Sequence, residues 1–291
     1  MSSVFVFPGQ GSQSVGMARD LYENNAAARA VFEEVDDALN QKLSDIIFNG
    51  PMEELTLTAN VQPAIMAASI AMLRASGATL PEYVAGHSLG EYTALCASGA
   101  ISLSDAAKLL RARGNAMQSA APAGSGLTAV IIGLDIDKVR EICATTDCDV
   151  ANDNCPGQVV ISGAKEIVEA TMAAAKDAGA RRAMPLALSV PVHCRMQSPA
   201  ADEMRAALES VEIKVPSAKF IANKTADIMM DPTEIKEELV YQMTHGVRWR
   251  ESVLRMHELG ITDMTECGPG NVLTGLCGRI CPDITAKKLE I

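Results

Sequence analysis

Apolar residues follow two rhythms along this chain. Short unbroken runs, such as VFVF at 4–7, read as strands buried on both faces. Longer stretches repeat every three to four residues. Residues 26–40 place Val31, Phe32, Val35 and Leu39 on one side, which predicts an amphipathic helix. Residues 62–76 are apolar on nearly every side and predict a helix buried all round. Residues 102–120 predict a third helix, capped by Ser104 and ended near Pro122. The texture then changes at Ala121-Pro122-Ala123-Gly124-Ser125-Gly126, a small-residue linker. Strands at 127–133, 150–154, 158–162 and 183–188 follow, with helices at 136–143 and 165–178. This β-α-β-β-α-β order is the ferredoxin-like split unit. It predicts a small subdomain over residues 123–189, inserted in a large domain made of 1–122 and 190–291. After residue 190, helices at 199–209, 235–243, 249–259 and 272–280 are interspersed with strands at 218–222 and 263–266. Strands alternating with helices predict an α/β fold with a mostly parallel sheet covered on both faces.

Composition narrows the class. The chain has 291 residues, 48% of them hydrophobic but only 3% aromatic, so the core must be aliphatic. Against 36 Asp and Glu stand 25 Lys and Arg, a net charge of −11. Nucleic-acid binders carry a basic surface, so no nucleic-acid partner is expected. No apolar stretch approaches the roughly 18 residues of a membrane span, and the N-terminus lacks the basic region of a signal peptide. Eight cysteines form no C-x-x-C; Cys277 and Cys281 are four apart, but no Cys/His pair completes a zinc site in the sequence. The expectation is a cytoplasmic monomer with free thiols and no metal, cofactor or membrane contact.

Gly86-His87-Ser88-Leu89-Gly90 adds chemistry. It is a G-x-S-x-G pentapeptide between a short apolar run and a helical stretch, the strand–turn–helix setting of a nucleophile elbow. Glycines at both ends leave room for the sharp turn that lifts a serine clear of a sheet. The helix N-terminus that follows can stabilise an oxyanion. A serine nucleophile needs a base, and four histidines are available. His87 lies within the elbow and should point away; His257 sits among charged residues; His245 suits a helix end. His193 falls where the inserted subdomain returns to the main sheet, so it is either the base or a buried structural histidine. Arg111 and Arg113 point to different faces of their helix. Arg113 is either in a surface ion pair or turned inward to hold an anion such as a carboxylate. The loop Gly9-Gln10-Gly11-Ser12-Gln13, directly after the first strand, turns backbone N–H groups into a site.

Several motifs occur together and in order: Phe7-Pro8-Gly9-Gln10-Gly11-Ser12-Gln13, Gln62-Pro63-Ala64, the elbow with Glu91-Tyr92, Arg113-Gly114, Gly157-Gln158-Val159-Val160-Ile161-Ser162-Gly163, Val190-Pro191-Val192-His193 and Gly268-Pro269-Gly270-Asn271-Val272-Leu273. With them the whole chain resembles the malonyl-CoA:acyl carrier protein transacylases of bacterial type II fatty acid synthesis, whose fold the acyltransferase domains of polyketide synthases share. The resemblance implies a hydrolase-like large domain and a ferredoxin-like small one. It implies Ser88 as the nucleophile that carries malonyl, His193 as the base, and the N–H groups of Gln10 and Leu89 as the oxyanion hole. It implies Arg113 as the clamp on the malonyl carboxylate, with Gln62 and Asn154 lining the same pocket. The family often has glutamine before the aromatic of His245-Gly246-Val247-Arg248-Trp249, and its main-chain carbonyl holds the histidine. Arg248 stands there in this chain, which would bring a positive charge near the dyad.

The implied substrates are malonyl-CoA and acyl carrier protein. Acyl carrier proteins are acidic, as is this chain, so docking requires a local basic patch. Arg181-Arg182 with Lys176, or Lys108 with Arg111, would supply one. A serine hydrolase on the same elbow, an acyltransferase for another acyl group such as methylmalonyl, and a silent carrier-binding scaffold are the competing readings.

Overall fold

The computed structural model describes residues 2–291. The chain opens with β1 (Ser2–Phe7). It then runs through α1 (Arg19–Asn24), α2 (Ala26–Leu39), α3 (Leu43–Asn49), α4 (Met52–Thr56) and α5 (Thr58–Ser76) before β2 (Tyr83–Gly86). After α6 (Gly90–Ala97) and α7 (Leu103–Ser119) come β3 (Gly126–Ile132), α8 (Ile136–Thr146), β4 (Asp149–Cys155), β5 (Gln158–Ala164), α9 (Lys165–Asp177) and β6 (Arg182–Pro185). The last third holds α10 (Ser198–Glu209), β7 (Lys219–Ile221), β8 (Ile228–Met229), α11 (Pro232–Tyr241), α12 (Trp249–Glu258), β9 (Ile261–Glu266), α13 (Val272–Ile280) and β10 (Thr285–Lys288).

Among the described residues two sheets form. The larger has the order β10-β9-β1-β2-β7-β8 and is parallel except for the β7–β8 pair. β1 is central, between β9 and β2, which explains its unbroken apolar run. Val4 and Val6 face one layer, with Trp249, Val253 and Met256 of α12. Phe5 and Phe7 face the other, with α2, α5 and α7. Each such side chain taken out of water contributes roughly 1.5–3 kcal/mol before entropy is subtracted. The second sheet is antiparallel in the order β4-β5-β3-β6, with α8 and α9 packed against it through Val139, Ile142, Val168 and Ala175. Its strand order is that of the split βαββαβ unit expected from the sequence.

Several element ends differ from those the sequence predicts. The third long helix is capped by Ser102, whose Oγ accepts the Asp105 N–H at 3.0 Å, while Ser104 donates its hydroxyl to Glu34. The all-apolar helix α5 starts at Thr58, with Pro63 inside it. The strand expected at 183–188 ends at Pro185, and residues 186–188 instead line a cavity. The sequence pattern predicts neither the short α1, α3 and α4 nor the two-residue β8 and the edge strand β10.

Candidate active site

β2 delivers the elbow. Its last residue is Gly86, α6 begins at Gly90, and Ser88 between them has φ 55°. A non-glycine residue held there stores on the order of 1–3 kcal/mol of strain. The two glycines are sterically required. A Cβ on Gly86 would lie 1.9 Å from the carbonyl carbon of Gly90, and one on Gly90 would lie 2.2 Å from the Phe7 oxygen. Asn223, after β7, pins the turn from beneath. Its Oδ1 accepts the Ser88 N–H at 2.9 Å, and its Nδ2 donates to Gly86 O at 2.7 Å.

His193 meets the serine from the segment that returns from the small sheet. Its Nε2 is 2.7 Å from Ser88 Oγ, and its Nδ1 is 2.7 Å from the main-chain oxygen of Gln242. A carbonyl only accepts, so Nδ1 carries the proton and Nε2 is free to take one from the hydroxyl. His193 too has a left-handed backbone, φ 51°. Burial, and then the Arg113 charge, push its pKa down to about 3, so the imidazole is neutral and its Nε2 lone pair is free at neutral pH.

Arg113 of α7 is 2% exposed. Its Nη1 donates to Gln62 Oε1 at 2.6 Å, and its Nη2 to Gln242 Oε1 at 2.7 Å and Ser88 Oγ at 3.2 Å. Gln242 Nε2 donates to Ser88 O at 3.0 Å and to Glu91 Oε2. Glu91 Oε1 accepts the Asn223 N–H at 2.7 Å. Burial, and then nearby Glu238, raise the Glu91 pKa; burial raises Glu238 to about 7.

These groups open on a cavity of about 610 Å³. Gly9, Gln10, Ser88, Leu89 and Arg113 form its polar end. Val130, Ile132 and Val160 of the small sheet, with Leu186 and Leu188, form an apolar wall. Among the described residues, no acceptor engages the backbone N–H of Gln10 or Leu89. Both lie in the wall beside Ser88, where an oxyanion would need donors. Asn154 is in the wall too, bonded through Oδ1 to His87 Nε2 at 3.0 Å. His87 therefore turns onto Asn154 and is itself part of the wall.

The structure brings together Ser88, His193, Arg113, Gln10, Leu89 and Asn154. Gln62 lies behind Arg113, 1% exposed, and holds the guanidinium rather than lining the cavity. Arg111 turns away, to Asn60 and Gln41. The expectation for residue 248 is overturned. The carbonyl that anchors His193 belongs to Gln242, at the C-cap of α11, where a helix leaves carbonyls free. Arg248 is instead held by Lys224 O and Glu251, so no extra charge reaches the dyad. Sequence reasoning missed Gln242, Asn223 and Glu91. Only Glu91 left a trace there, as an acid directly after the elbow. One cation-capable group, His257, Cys281 and Asp283, has ligand atoms within 4.8 Å of one another; none of the three lines the cavity. Among the described residues no helix is long and apolar enough to cross a membrane.

Residues 4–275 match the family model of the acyl transferase domain. The chain is 44% identical over 284 residues to the malonyl CoA-acyl carrier protein transacylase of Bacillus subtilis, covering 95% of this chain and 89% of that one. To the enzyme of the same name from Escherichia coli it is 42% identical over 293 residues, covering 98% and 95%. Among solved structures, the acyl-carrier-protein-S-malonyltransferase of Bartonella henselae superposes with a TM-score of 0.97 at 49% identity, over 100% of this chain and 96% of that one. A malonyl-transacylase solved in complex with a type II polyketide acyl-carrier protein gives 0.95 at 42% identity, over 99% and 95%.

Proposed function

The chain belongs to the malonyl-CoA:acyl carrier protein transacylase family, and from its site we propose how the transfer is made. The enzyme moves malonyl from malonyl-CoA to the phosphopantetheine thiol of acyl carrier protein, in fatty acid biosynthesis. The observation that carries the mechanism is a single hydroxyl with two partners: Ser88 Oγ lies 2.7 Å from the base nitrogen of His193 and 3.2 Å from the guanidinium of Arg113.

In the first half-reaction Ser88 Oγ attacks the thioester carbon while its proton passes to His193 Nε2. The oxygen that gains charge accepts the N–H groups of Gln10 and Leu89; losing such a donor typically costs about 10²–10³ in rate. The intermediate collapses, the C–S bond breaks, and the imidazolium returns its proton to the CoA sulfur. In the second half the carrier thiol gives its proton to His193 and attacks the malonyl-serine ester, and Ser88 leaves as the hydroxyl. Arg113 holds the free carboxylate throughout. Of its five N–H groups three are engaged, which leaves capacity for an anion. The mechanism asks nothing of a metal or cofactor.

The division into a large lobe, 1–122 with 190–291, and a small lobe, 123–189, belongs to the same reading. The two separate sheets support it, and the apolar wall of the small lobe suits the pantetheine arm. For carrier docking the exposed Arg181 and Arg182 are the better candidates, because Arg182 pairs in the sheet with Ile132, which lines the cavity. Arg111, occupied by Asn60 and Gln41, is less free. A cytoplasmic monomer without nucleic-acid or membrane partners completes the proposal; the charge of −11 supports the lack of a nucleic-acid partner.

The test is transfer. Wild-type enzyme with malonyl-CoA and holo carrier should yield malonyl-carrier in step with CoA release. Release of free malonate at the same rate as CoA, with no malonyl-carrier, would move the chain to a thioesterase.

A further inference from the structure

Besides Ser88, Arg113 is held by two glutamines, Gln62 and Gln242, that do not line the cavity. The Gln242 amide can take only one orientation. Arg113 Nη2 has hydrogens but no lone pair, and Ser88 O has lone pairs but no hydrogen. The amide must turn Oε1 to the arginine, 2.7 Å away, and Nε2 to the serine carbonyl, 3.0 Å away. The second hydrogen of Nε2 then falls on Glu91 Oε2. Glu91 is 0% exposed, and its other oxygen is tied to the main-chain N–H of Asn223 at 2.7 Å, a donor the backbone fixes. Both carboxyl oxygens therefore accept, one from a main-chain N–H that the backbone fixes and one from the Gln242 amide. The line runs from the elbow's support, through acid and amide, to the guanidinium.

We propose that Glu91 is a positioning residue for acyl selection: its carboxyl locks the Gln242 amide, and the amide in turn aims the Arg113 guanidinium at the carboxylate end of the acyl group. This rests on the malonyl-transfer reading above. The chemistry of an isosteric change shows why. In Glu91→Gln, the new Oε1 must stay on the Asn223 N–H, so the new Nε2 faces the Gln242 NH₂. Donor then meets donor. Relief requires the Gln242 amide to flip, which turns its NH₂ onto Arg113 and its Oε1 onto the Ser88 carbonyl. The guanidinium loses its acceptor at 2.7 Å and swings from its aim.

The experiment compares malonyl-CoA with acetyl-CoA as acyl donors in wild type, Glu91→Gln and Gln242→Met, measuring kcat and KM for transfer to the carrier and a thermal melt for each protein. Gln242→Met removes the amide but keeps the main-chain carbonyl that anchors His193. Both variants are expected to lose kcat/KM for malonyl-CoA about tenfold or more beyond any loss for acetyl-CoA, chiefly through KM, as befits a misaimed binding group. Equal losses for the two donors, or an unchanged ratio, would overturn the proposal. If Glu91→Gln does not fold, Glu91→Asp, which keeps the carboxylate but shortens its reach to the Gln242 amide, decides by the same ratio. A wild type that does not prefer malonyl-CoA would overturn the functional reading itself, an outcome visible before any variant is compared.

Discussion

Arg113 is a buried cation with no carboxylate at ion-pair distance among the described residues. A charge in that position is expensive to keep unless an anion arrives to meet it. Its partners are two glutamine oxygens and the nucleophile, a set that neutralises nothing and so leaves the charge for a ligand. Arg113→Ala should lower kcat/KM for malonyl-CoA on the order of 100-fold more than for acetyl-CoA, read from parallel transfer assays. Equal losses would remove it from acyl recognition. His193 carries a second expectation. Its lowered pKa, about 3, means that the neutral base persists as pH falls and is lost only when pH approaches that value. Serine acylation, followed by rapid quench, should therefore show no one-proton decline centred near pH 6.5 between pH 8 and pH 5. A decline with that midpoint would mean the histidine titrates as if exposed.

The elements set where these side chains can be. β1, β2 and α6 meet so closely at the elbow that side chains are excluded, and this is why the motif was legible in sequence: its constraint is local and needs glycine at fixed offsets. Gly90→Ala should lower stability by roughly 1–3 kcal/mol or more, because its Cβ meets the Phe7 oxygen at 2.2 Å. Gly278→Ala, exposed in α13 with nothing within 4 Å of the added carbon, should raise it by about 0.5–1 kcal/mol. Denaturant midpoints of the two variants, moving in opposite directions from wild type, would check both. The rest of the site was hidden for an equally physical reason. Gln242 and Asn223 act on Ser88 from 154 and 135 residues away, and neither belongs to a motif. The histidine anchor is a main-chain carbonyl, which any residue can supply, so no side chain marks it, and the family resemblance pointed to Arg248 instead of Gln242. The long periodic helices and the βαββαβ order were readable because burial imposes their spacing. The short α1, α3 and α4 carry too few turns for a period to register, and β10 is a largely exposed edge.

At the scale of the molecule the site exists because two sheets are stitched edge to segment. Asp153 of β4 bonds Arg250 of α12 at 2.9 Å, and main-chain bonds between Ala151, Asp153 and Val247, each 2.9 Å, run beside it. Gly246 permits the approach; a Cβ there would lie 2.4 Å from Val150 O. Asp153 is buried and flanked on β4 by Asn152 and Asn154, both in the cavity wall, so the seam also fixes that wall. Asp153→Asn should cost about 1–2 kcal/mol, less than for a fully buried pair because Arg250 keeps some contact with water, and lower the melting temperature by a few degrees. An unchanged melt would show that the main-chain bonds alone hold the seam. The mechanism requires the acyl group to rest on Ser88 between its two thiols. Intact-mass spectrometry after brief mixing with malonyl-CoA measures this directly. Wild type should gain one malonyl group, lose it again when holo carrier is added, and Ser88→Ala should gain none. A wild type that stays unmodified while malonyl-carrier accumulates, or a Ser88→Ala protein that is acylated as readily, would contradict it.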